Sequence, residues 1–283
     1  MRYFLDTITS WAYWRYVLFS VSGAKSIFGI FGAIYLLVEV LDFFNIYTRD
    51  EYGAFGFLVF LLVAIAISIS VRRPVNCIQL RFPHKDYCLE VRIADIFDSS
   101  GAIMISTNTI FEADVAGGKI APNSLQGQFT ARYFTGNQNA LIDEIEAQIG
   151  LIGGSRPYPM GTTLPITTHG KTFYFTAMAT LNQNGNASST VSDVKDALAG
   201  LWSHVRSAGE LQELAVPLIG TGRGRLNMPR KKMVELIADS FVVASAEGKF
   251  TDKLVICIRP EDAQRFQVNL YDVKDHLQRS LVH

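Results

Sequence analysis

The sequence has few cysteines and no recognisable set of metal ligands. Its three cysteines, Cys77, Cys88 and Cys257, lie in apolar, strand-like runs without the spacing of a zinc site. An odd number of such thiols favours buried, reduced cysteines of a cytosolic domain over disulfides. The five histidines are scattered along the chain and form no His-Glu-x-x-His pattern. We therefore predict no metal site and no metal cofactor.

The sequence also lacks an excess of charge of either sign. Lysine and arginine total 26 residues, and aspartate and glutamate also total 26. Without net positive charge there is no global electrostatic attraction to nucleic acid, so we predict no nucleic-acid partner. An anionic ligand would have to be bound by a local group of residues.

Long apolar runs are present, and both precede Arg72 and Arg73. They cover residues 26–44 and 54–71, each close to the roughly 20 residues that cross a bilayer core. The second run contains no charged residue. These runs predict a membrane domain, residues 1–74, that forms a transmembrane α-helical hairpin. A buried hairpin of a soluble protein is the alternative.

The flanking charges predict the orientation of this hairpin. The connecting loop contains one basic residue, Arg49, whereas several basic residues lie outside the two runs. The positive-inside rule then predicts a multi-pass protein of the inner (cytoplasmic) membrane with both termini in the cytoplasm. Glu39 and Asp42, late in the first run, fit either a hydrated position or a pore or packing role.

Residues 75–283 alternate strand-like and helical runs, which is typical of an α/β domain. Strands are predicted at about 77–82, 87–94, 102–107, 171–179, 214–219 and 253–258. One predicted helix covers about 141–149, a second follows a capping box formed by Thr190 and Asp193, and a third begins near Met228. We expect a mixed sheet flanked by helices in a cytosolic domain.

A glycine-rich stretch, PLIGTGRGRL, runs from Pro217 to Leu226. It joins a predicted strand to a predicted helix, with Asn227 as the expected N-cap and Pro229 in the first turn. Glycines allow backbone N–H groups to approach oxyanions, and a helix N-terminus favours negative charge. The spacing matches neither a Walker A loop nor a Rossmann fingerprint. A phosphate-binding loop and a solvent-exposed turn are the two interpretations.

Two polar residues follow earlier strands. Asp95 ends one strand, and Asn108 ends the next. A carboxylate accepts a hydrogen bond from an adenine amino group, and an amide bonds ribose hydroxyls. Asp95 could instead only cap the following turn.

In these motifs the chain after residue 75 resembles the macro domain family, whose members bind ADP-ribose. The resemblance rests on Ala94-Asp95-Ile96, on Asn108 and on the glycine loop. It implies that Asp95 and Ile96 lie near adenine and Asn108 near the distal ribose. It implies diphosphate contacts from the following residues: Gly220, Thr221, Gly222, Arg223, Gly224 and Arg225.

The chain departs from the pattern of the family's hydrolases. The segment after Asn108 contains only Gly117 and Gly118 where the hydrolases carry a longer glycine run, and residues 121–129 are typical of a subfamily. Ala94 also replaces the glycine that usually precedes the acid in the family. We therefore predict a binding domain without catalytic residues.

The whole arrangement resembles the two-span, macro-domain membrane effectors of type II Thoeris antiphage systems. The resemblance implies a partner TIR-domain enzyme that makes a histidine conjugate of ADP-ribose. Binding of this signal would order residues 108–129 and drive homo-oligomerisation, disruption of membrane lipid and cell death. The alternatives are a membrane-tethered ADP-ribosyl hydrolase and an ADP-ribose-binding anchor.

Overall fold

The computed structural model describes residues 7–9, 11–44, 46, 53–82, 85–181, 187–209, 211–219, 226 and 228–281. The chain divides into two compact units. The first unit is Met1–Asn76 together with Asn269–Asp275. The second unit is Cys77–Val268 together with His276–His283.

The first unit is helical. Its helices are α1 (Trp11–Phe19), α2 (Val21–Phe43) and α3 (Gly53–Val71). Ser20 separates α1 from α2, because its hydroxyl accepts a hydrogen bond from the backbone N–H of Gly23 at 2.9 Å and caps α2. Both α2 and α3 leave large apolar side chains such as Phe28, Phe43 and Phe57 exposed. Such surfaces are stable only when a partner or a lipid phase covers them.

Only α2, among the described helices, is long and apolar enough to cross a membrane. The second apolar helix has 19 backbone residues, about 28 Å at the α-helical rise, and its described apolar part, Phe55–Val71, is shorter. A bilayer core of about 30 Å needs roughly 20 apolar residues. The predicted two-span hairpin is therefore wrong, and so is the multi-pass inner-membrane localisation with both termini in the cytoplasm.

A polar cluster holds the ends of the first unit together. Tyr16 donates its hydroxyl hydrogen to Asp275 at 2.7 Å, and Arg72 donates to the Tyr16 hydroxyl oxygen at 2.8 Å. The Tyr271 hydroxyl donates to the carbonyl oxygen of Val71 at 3.0 Å. Residues 269–275 are thereby fixed to the end of α3.

The second unit is built on a mixed sheet. Its described strands are β1 (Cys77–Arg81), β2 (Cys88–Ile93), β3 (Ala102–Asn108), β4 (Thr163–Thr168), β5 (Lys171–Leu181), β6 (Ala187–Ser188), β7 (Glu213–Pro217) and β8 (Lys253–Ile258). Their order is β1-β2-β8-β7-β3-β5-β4, and β6 pairs with β5. The central strands β2, β8, β7, β3 and β5 are parallel, whereas β1 and β4 run antiparallel at the two edges. The parallel strands therefore end at one edge of the sheet.

Helices of the second unit pack against this sheet. They are α4 (Leu125–Tyr133), α5 (Gln138–Ile152), α6 (Val191–Ala208) and α7 (Arg230–Ala246), with a 3-10 helix at Ile96–Asp98. Later in the chain come α8 (Pro260–Arg265) and α9 (Leu270–Leu281), and α9 begins in the first unit and ends in the second. The predicted capping box at α6 is confirmed, since Thr190 and Asp193 exchange hydrogen bonds between side chain and backbone. Phe129, Phe173 and Phe175 pack in the core with ring centres 4.7 to 5.1 Å apart around Phe129.

The predicted fold class is confirmed: an apolar N-terminal helical segment precedes an α/β domain with a mixed sheet. One helix start differs from the prediction. Pro229 is the N-cap of α7 rather than a first-turn residue, because its ψ of 139° is not helical. Asn227, the expected cap, lies outside the described residues.

Candidate functional site

A cavity of about 250 Å³ lies at the edge where the parallel strands of the second unit end. In open α/β sheets this is the edge where ligands bind. Every parallel strand contributes to the cavity through its last residues or the segment that follows. The lining residues include Ala94, Ile96, Ser106, Thr107, Asn108, Lys119, Asn123, Ser124, Leu125, Gln126, Met178, Leu181, Pro217, Leu218, Ile219, Leu226, Cys257, Arg259 and Asp262.

The segment after β2 forms one wall of the cavity. Ala94 and Ile96 line it, but the carboxylate of Asp95 between them is held on both oxygens. Oδ1 accepts a hydrogen bond from the backbone N–H of Phe97 at 3.1 Å, and Oδ2 accepts one from Nη2 of Arg132. Asp95 therefore caps the 3-10 helix, as the simpler interpretation predicted. Its side chain keeps 35 % exposure, so further acceptor positions stay accessible.

Asn108 lies where β3 ends and the pairing of β3 with β5 shifts register. Its side chain is buried, and Oδ1 accepts hydrogen bonds from the backbone N–H groups of Ile110 and Glu112, both at 3.1 Å. Because both partners are donors, these bonds show which side-chain atom of Asn108 is the amide oxygen. The amide nitrogen carries two hydrogens and makes no hydrogen bond to any described residue. Asn108 thus shapes the following loop and brings donors to the cavity.

Thr107 is a second polar residue at this strand end, and sequence reasoning missed it. The residue is 5 % exposed and lines the cavity. Its hydroxyl is buried and makes no hydrogen bond within the described part of the chain. A buried hydroxyl without a partner costs about 1–3 kcal/mol, and such groups are rare unless a ligand or water satisfies them.

The predicted diphosphate loop, Gly220–Arg225, lies outside the described residues. Its neighbours on both sides are described: Leu218 and Ile219 precede it, and Leu226 follows it. All three line the cavity. The residues that flank the glycine loop therefore line the same cavity as Ile96 and Asn108.

The segment after Asn108 forms another wall and ends in helix α4. Its residues Asn123 to Gln126 line the cavity. The Ser124 hydroxyl caps α4 by accepting from the backbone N–H of Gly127 at 3.0 Å, while Nε2 of Gln126 donates to the carbonyl oxygen of Glu112 at 2.7 Å. Because a helix N-terminus favours negative charge, this wall suits an anionic group.

The segment after β8 adds charged residues that the sequence analysis overlooked. Arg259 and Asp262 both line the cavity. Ile258 pairs with Ile93, and the backbone N–H of Ala94 donates to the carbonyl oxygen of Ile258 at 3.1 Å. The Arg259 segment therefore lies beside the Ala94–Ile96 wall. The rule that predicted Asp95, a polar residue after a parallel strand, would have found Arg259 as well.

Two further observations limit the chemistry of the cavity. Burial raises the pKa of the Cys257 thiol to about 11, so this cavity-lining cysteine is protonated at neutral pH and is a poor nucleophile. Within the described residues there is no group of three or more His, Cys, Asp or Glu side chains that could hold a metal ion. The described groups therefore offer mainly hydrogen bonds and positive charge.

The sheet order and the cavity at the ends of the parallel strands define a macro domain. The family model "Thoeris protein ThsA, Macro domain" matches residues 89–259, and the chain belongs to this family.

The following relatives are distant in sequence. The chain is 20% identical over 237 residues to the Thoeris protein ThsA of Bacillus amyloliquefaciens (strain Y2), covering 77% of this chain and 79% of that protein. Among solved structures, a point mutant of the Oceanobacillus iheyensis macrodomain is similar with a TM-score of 0.50 and 14% identity, over 72% of this chain and 94% of that one. Another mutant of that macrodomain, with ADPR, has a TM-score of 0.49 and 13% identity, over 70% and 99% of the two chains.

Proposed function

We propose that the protein is an antiphage-defence sensor whose macro domain binds an ADP-ribose derivative and releases it unchanged. The observation that carries this proposal is the cavity, which is lined by Ala94, Ile96 and Asn108 and by Ile219 and Leu226, the described residues on either side of the glycine loop. Membership of the ThsA macro family and the name of the Bacillus relative support a role in Thoeris defence.

The ligand is proposed to follow the cavity from the β2 end to the β3 end. The adenine base lies against Ile96 and near Asp95. The diphosphate lies between the glycine loop, with contacts from Gly220 to Arg225, and the N-terminus of α4. The distal ribose lies at Asn108 and Thr107. Among the described residues the Thr107 hydroxyl has no hydrogen-bond partner, and this hydroxyl and the Asn108 amide suit ribose hydroxyls.

The signal is proposed to be histidine-ADP-ribose made by a partner TIR-domain enzyme. The added group is proposed to lie between β5 and α4, where Met178, Leu181 and Leu125 line the cavity. Binding is proposed to favour an assembled state, which requires tighter binding of the signal to that state than to the unassembled one. The assembled state is proposed to act on the membrane through the apolar helix α2.

Breakdown of the ligand distinguishes an ADP-ribosyl hydrolase from the proposed sensor, which would release the ligand unchanged. Purified full-length protein in detergent would be incubated with histidine-ADP-ribose, and the recovered ligand would be analysed by chromatography. Intact ligand is the expected result. Breakdown that disappears in Asp262→Asn would instead favour hydrolysis, because Asp262 is the carboxylate among the described lining residues that could act as a general base.

Dye release from vesicles tests the proposed output. The full-length chain in phospholipid vesicles should release dye when histidine-ADP-ribose is added, and plain ADP-ribose should be a weaker trigger. Binding of the signal without dye release or a change of oligomeric state would contradict the effector role and favour a constitutive ADP-ribose-binding anchor.

A further inference from the structure

We infer that Arg132 positions Asp95 for base recognition and thereby sets the preference of the cavity for adenine. The inference rests on the proposed function, since it concerns the same ligand. Arg132 lies in the last turn of α4, and its Nη2 donates to Oδ2 of Asp95. Neither Arg132 nor Asp95 is among the described residues that line the cavity, but Ala94 and Ile96 on either side of Asp95 are. The Asp95 side chain is 35% exposed, and it joins Arg132 to this wall of the cavity.

Arg132, Asp95 and Phe97 constrain one another. The guanidinium carbon of Arg132 lies 4.5 Å from the centre of the Phe97 ring, within the range of a cation–π contact. The Phe97 ring is buried, and its backbone N–H donates to Oδ1 of Asp95 at 3.1 Å. The carboxylate therefore has a defined direction, because one oxygen is fixed by the backbone and the other by Arg132.

Helix α4 fixes the position of the Arg132 backbone. The N-terminal residues Ser124 to Gln126 line the cavity, and Phe129 in the middle of the helix is fully buried among the core phenylalanines. The last turn then reaches back to the Asp95 segment through Arg132. One helix thus joins the wall after β3 to the wall after β2.

The chemistry of a fixed carboxylate explains the expected preference. An ionised carboxylate accepts about four hydrogen bonds, and two are used by Phe97 and Arg132. The remaining acceptor positions of Asp95 suit the amino group of adenine. Hypoxanthine presents a carbonyl oxygen at that position, which is an acceptor and is repelled by a carboxylate held in place. A carboxylate free to rotate would discriminate less between the two bases.

The test compares the affinities of ADP-ribose and its hypoxanthine counterpart, IDP-ribose, for full-length protein in detergent. The variant Arg132→Met keeps an apolar chain over Phe97 but removes the hydrogen-bond donors. Arg132→Lys restores a charged donor. A matched control is Arg206→Met, because Arg206 also pairs with a carboxylate, Glu247, and also lies over a phenylalanine ring, but does not line the cavity.

We expect the wild type to prefer ADP-ribose by about tenfold or more, the ratio for one charge-assisted hydrogen bond. Arg132→Met should lower this ratio to about one, Arg132→Lys should restore part of it, and Arg206→Met should leave it unchanged. Thermal unfolding of each variant checks the fold.

Three results would overturn the inference. An unchanged ratio in Arg132→Met, even with weaker binding of both ligands, would mean that Arg132 is only structural. Tighter binding of ADP-ribose by Arg132→Met would mean that Arg132 competes with the ligand for Asp95. Equal binding of both ligands by the wild type would contradict base recognition. Failure of the wild type to bind either ligand would instead contradict the proposed function itself.

Discussion

At the scale of single residues, the hydroxyl of Thr107 offers a test in which stability and binding move in opposite directions. Thr107→Val removes a buried hydroxyl that has no partner in the described chain, so the free protein should become more stable by about 1 kcal/mol. The same change removes a ligand contact and should weaken binding of ADP-ribose about three- to tenfold. Thermal unfolding and calorimetric titration measure the two effects.

Thr163→Val is the matched control for Thr107→Val. Thr163 is also a buried strand threonine, but its hydroxyl donates to the Gly161 carbonyl oxygen at 3.0 Å and lies 3.1 Å from the Thr176 hydroxyl. Its loss should therefore reduce stability and leave binding unchanged. If both variants lose stability, the Thr107 hydroxyl has a partner in the free protein and the ligand assignment loses its basis.

Asn108→Asp tests the donors of Asn108 without disturbing its structural role. A carboxylate can accept the same two hydrogen bonds from Ile110 and Glu112, so the fold should persist. The variant has no N–H donor and adds a negative charge beside a diphosphate ligand, so affinity for ADP-ribose should fall at least a hundredfold. Unchanged affinity in a folded Asn108→Asp variant would exclude Asn108 as a ligand contact.

Sequence reasoning identified site residues where they followed a strand and carried an obvious functional group. Asp95 and Asn108 were predicted in this way. Asn108 and the neighbours of Asp95 line one cavity, whereas Asp95 is not among the lining residues. It could not find Thr107, because an unpaired hydroxyl is visible only once the packing around it is known. Arg132 was missed because its partner, Asp95, lies 37 positions earlier in the chain.

At the scale of elements, the start of α4 depends on a close approach that only glycine permits. A Cβ atom on Gly127 would lie 2.2 Å from the carbonyl oxygen of Ala121 and 2.8 Å from Cα of Pro122. Gly127→Ala should therefore shift the cavity wall and destabilise the domain by about 1–3 kcal/mol. Thermal unfolding measures the loss, and weaker binding of ADP-ribose should accompany it.

Gly150→Ala provides the corresponding control in α5. A Cβ atom there meets nothing within 4 Å, and alanine is a better helix former by about 1 kcal/mol. This variant should be as stable as the wild type or more stable. Equal effects of the two substitutions would show that helix propensity, not the packing of α4 on residues 121–122, governs the Gly127 variant.

The elements with strong periodicity were predictable, and those with weak local patterns were not. The six predicted strands are all present, because apolar residues make up more than half of each predicted run. Strand β4 was missed because Pro165 interrupts its pattern, and the sheet tolerates this proline because β4 is an edge strand. Helix α4 was missed because Gly127 and polar residues hide its single buried face, which is centred on Phe129.

At the scale of the whole molecule, a buried histidine predicts how stability depends on pH. Burial lowers the pKa of His204, and its Nε2 atom is buried without a hydrogen-bond partner in the described chain. The unfolded chain then binds the proton more readily. The free energy of unfolding should be highest above a pH of about 6.5, the ordinary pKa of histidine. Below that pH it should fall by up to about 1.4 kcal/mol per pH unit, until the pH reaches the lower pKa of His204 in the folded protein.

His204→Phe should remove this dependence, because phenylalanine keeps a ring against Tyr174 and does not titrate. His169→Asn is the control, since His169 is exposed in a turn with a φ of 51° that asparagine tolerates. The measurement is thermal unfolding between pH 5 and 8. A His204→Phe variant whose pH dependence matches the wild type would contradict the assignment.

The apolar helices show the limit of composition as evidence for membrane topology. Two apolar runs of similar length predicted two spans, but the length of each continuous apolar helix is decided by where the helices begin and end. Ser20 starts α2 early enough to give it 23 residues, whereas α3 is shorter. Composition therefore located the apolar segment, and the helix bounds corrected the number of candidate spans.

The central claim is that the cavity at the carboxyl ends of the parallel strands binds an ADP-ribose derivative, and calorimetric titration of the full-length protein tests it most directly. Wild type and Asn108→Asp would each be titrated with ADP-ribose and with histidine-ADP-ribose. We expect tight binding of the histidine conjugate and weaker binding of ADP-ribose by the wild type, and loss of both in Asn108→Asp. Absence of binding of both ligands to the folded wild-type protein would contradict it.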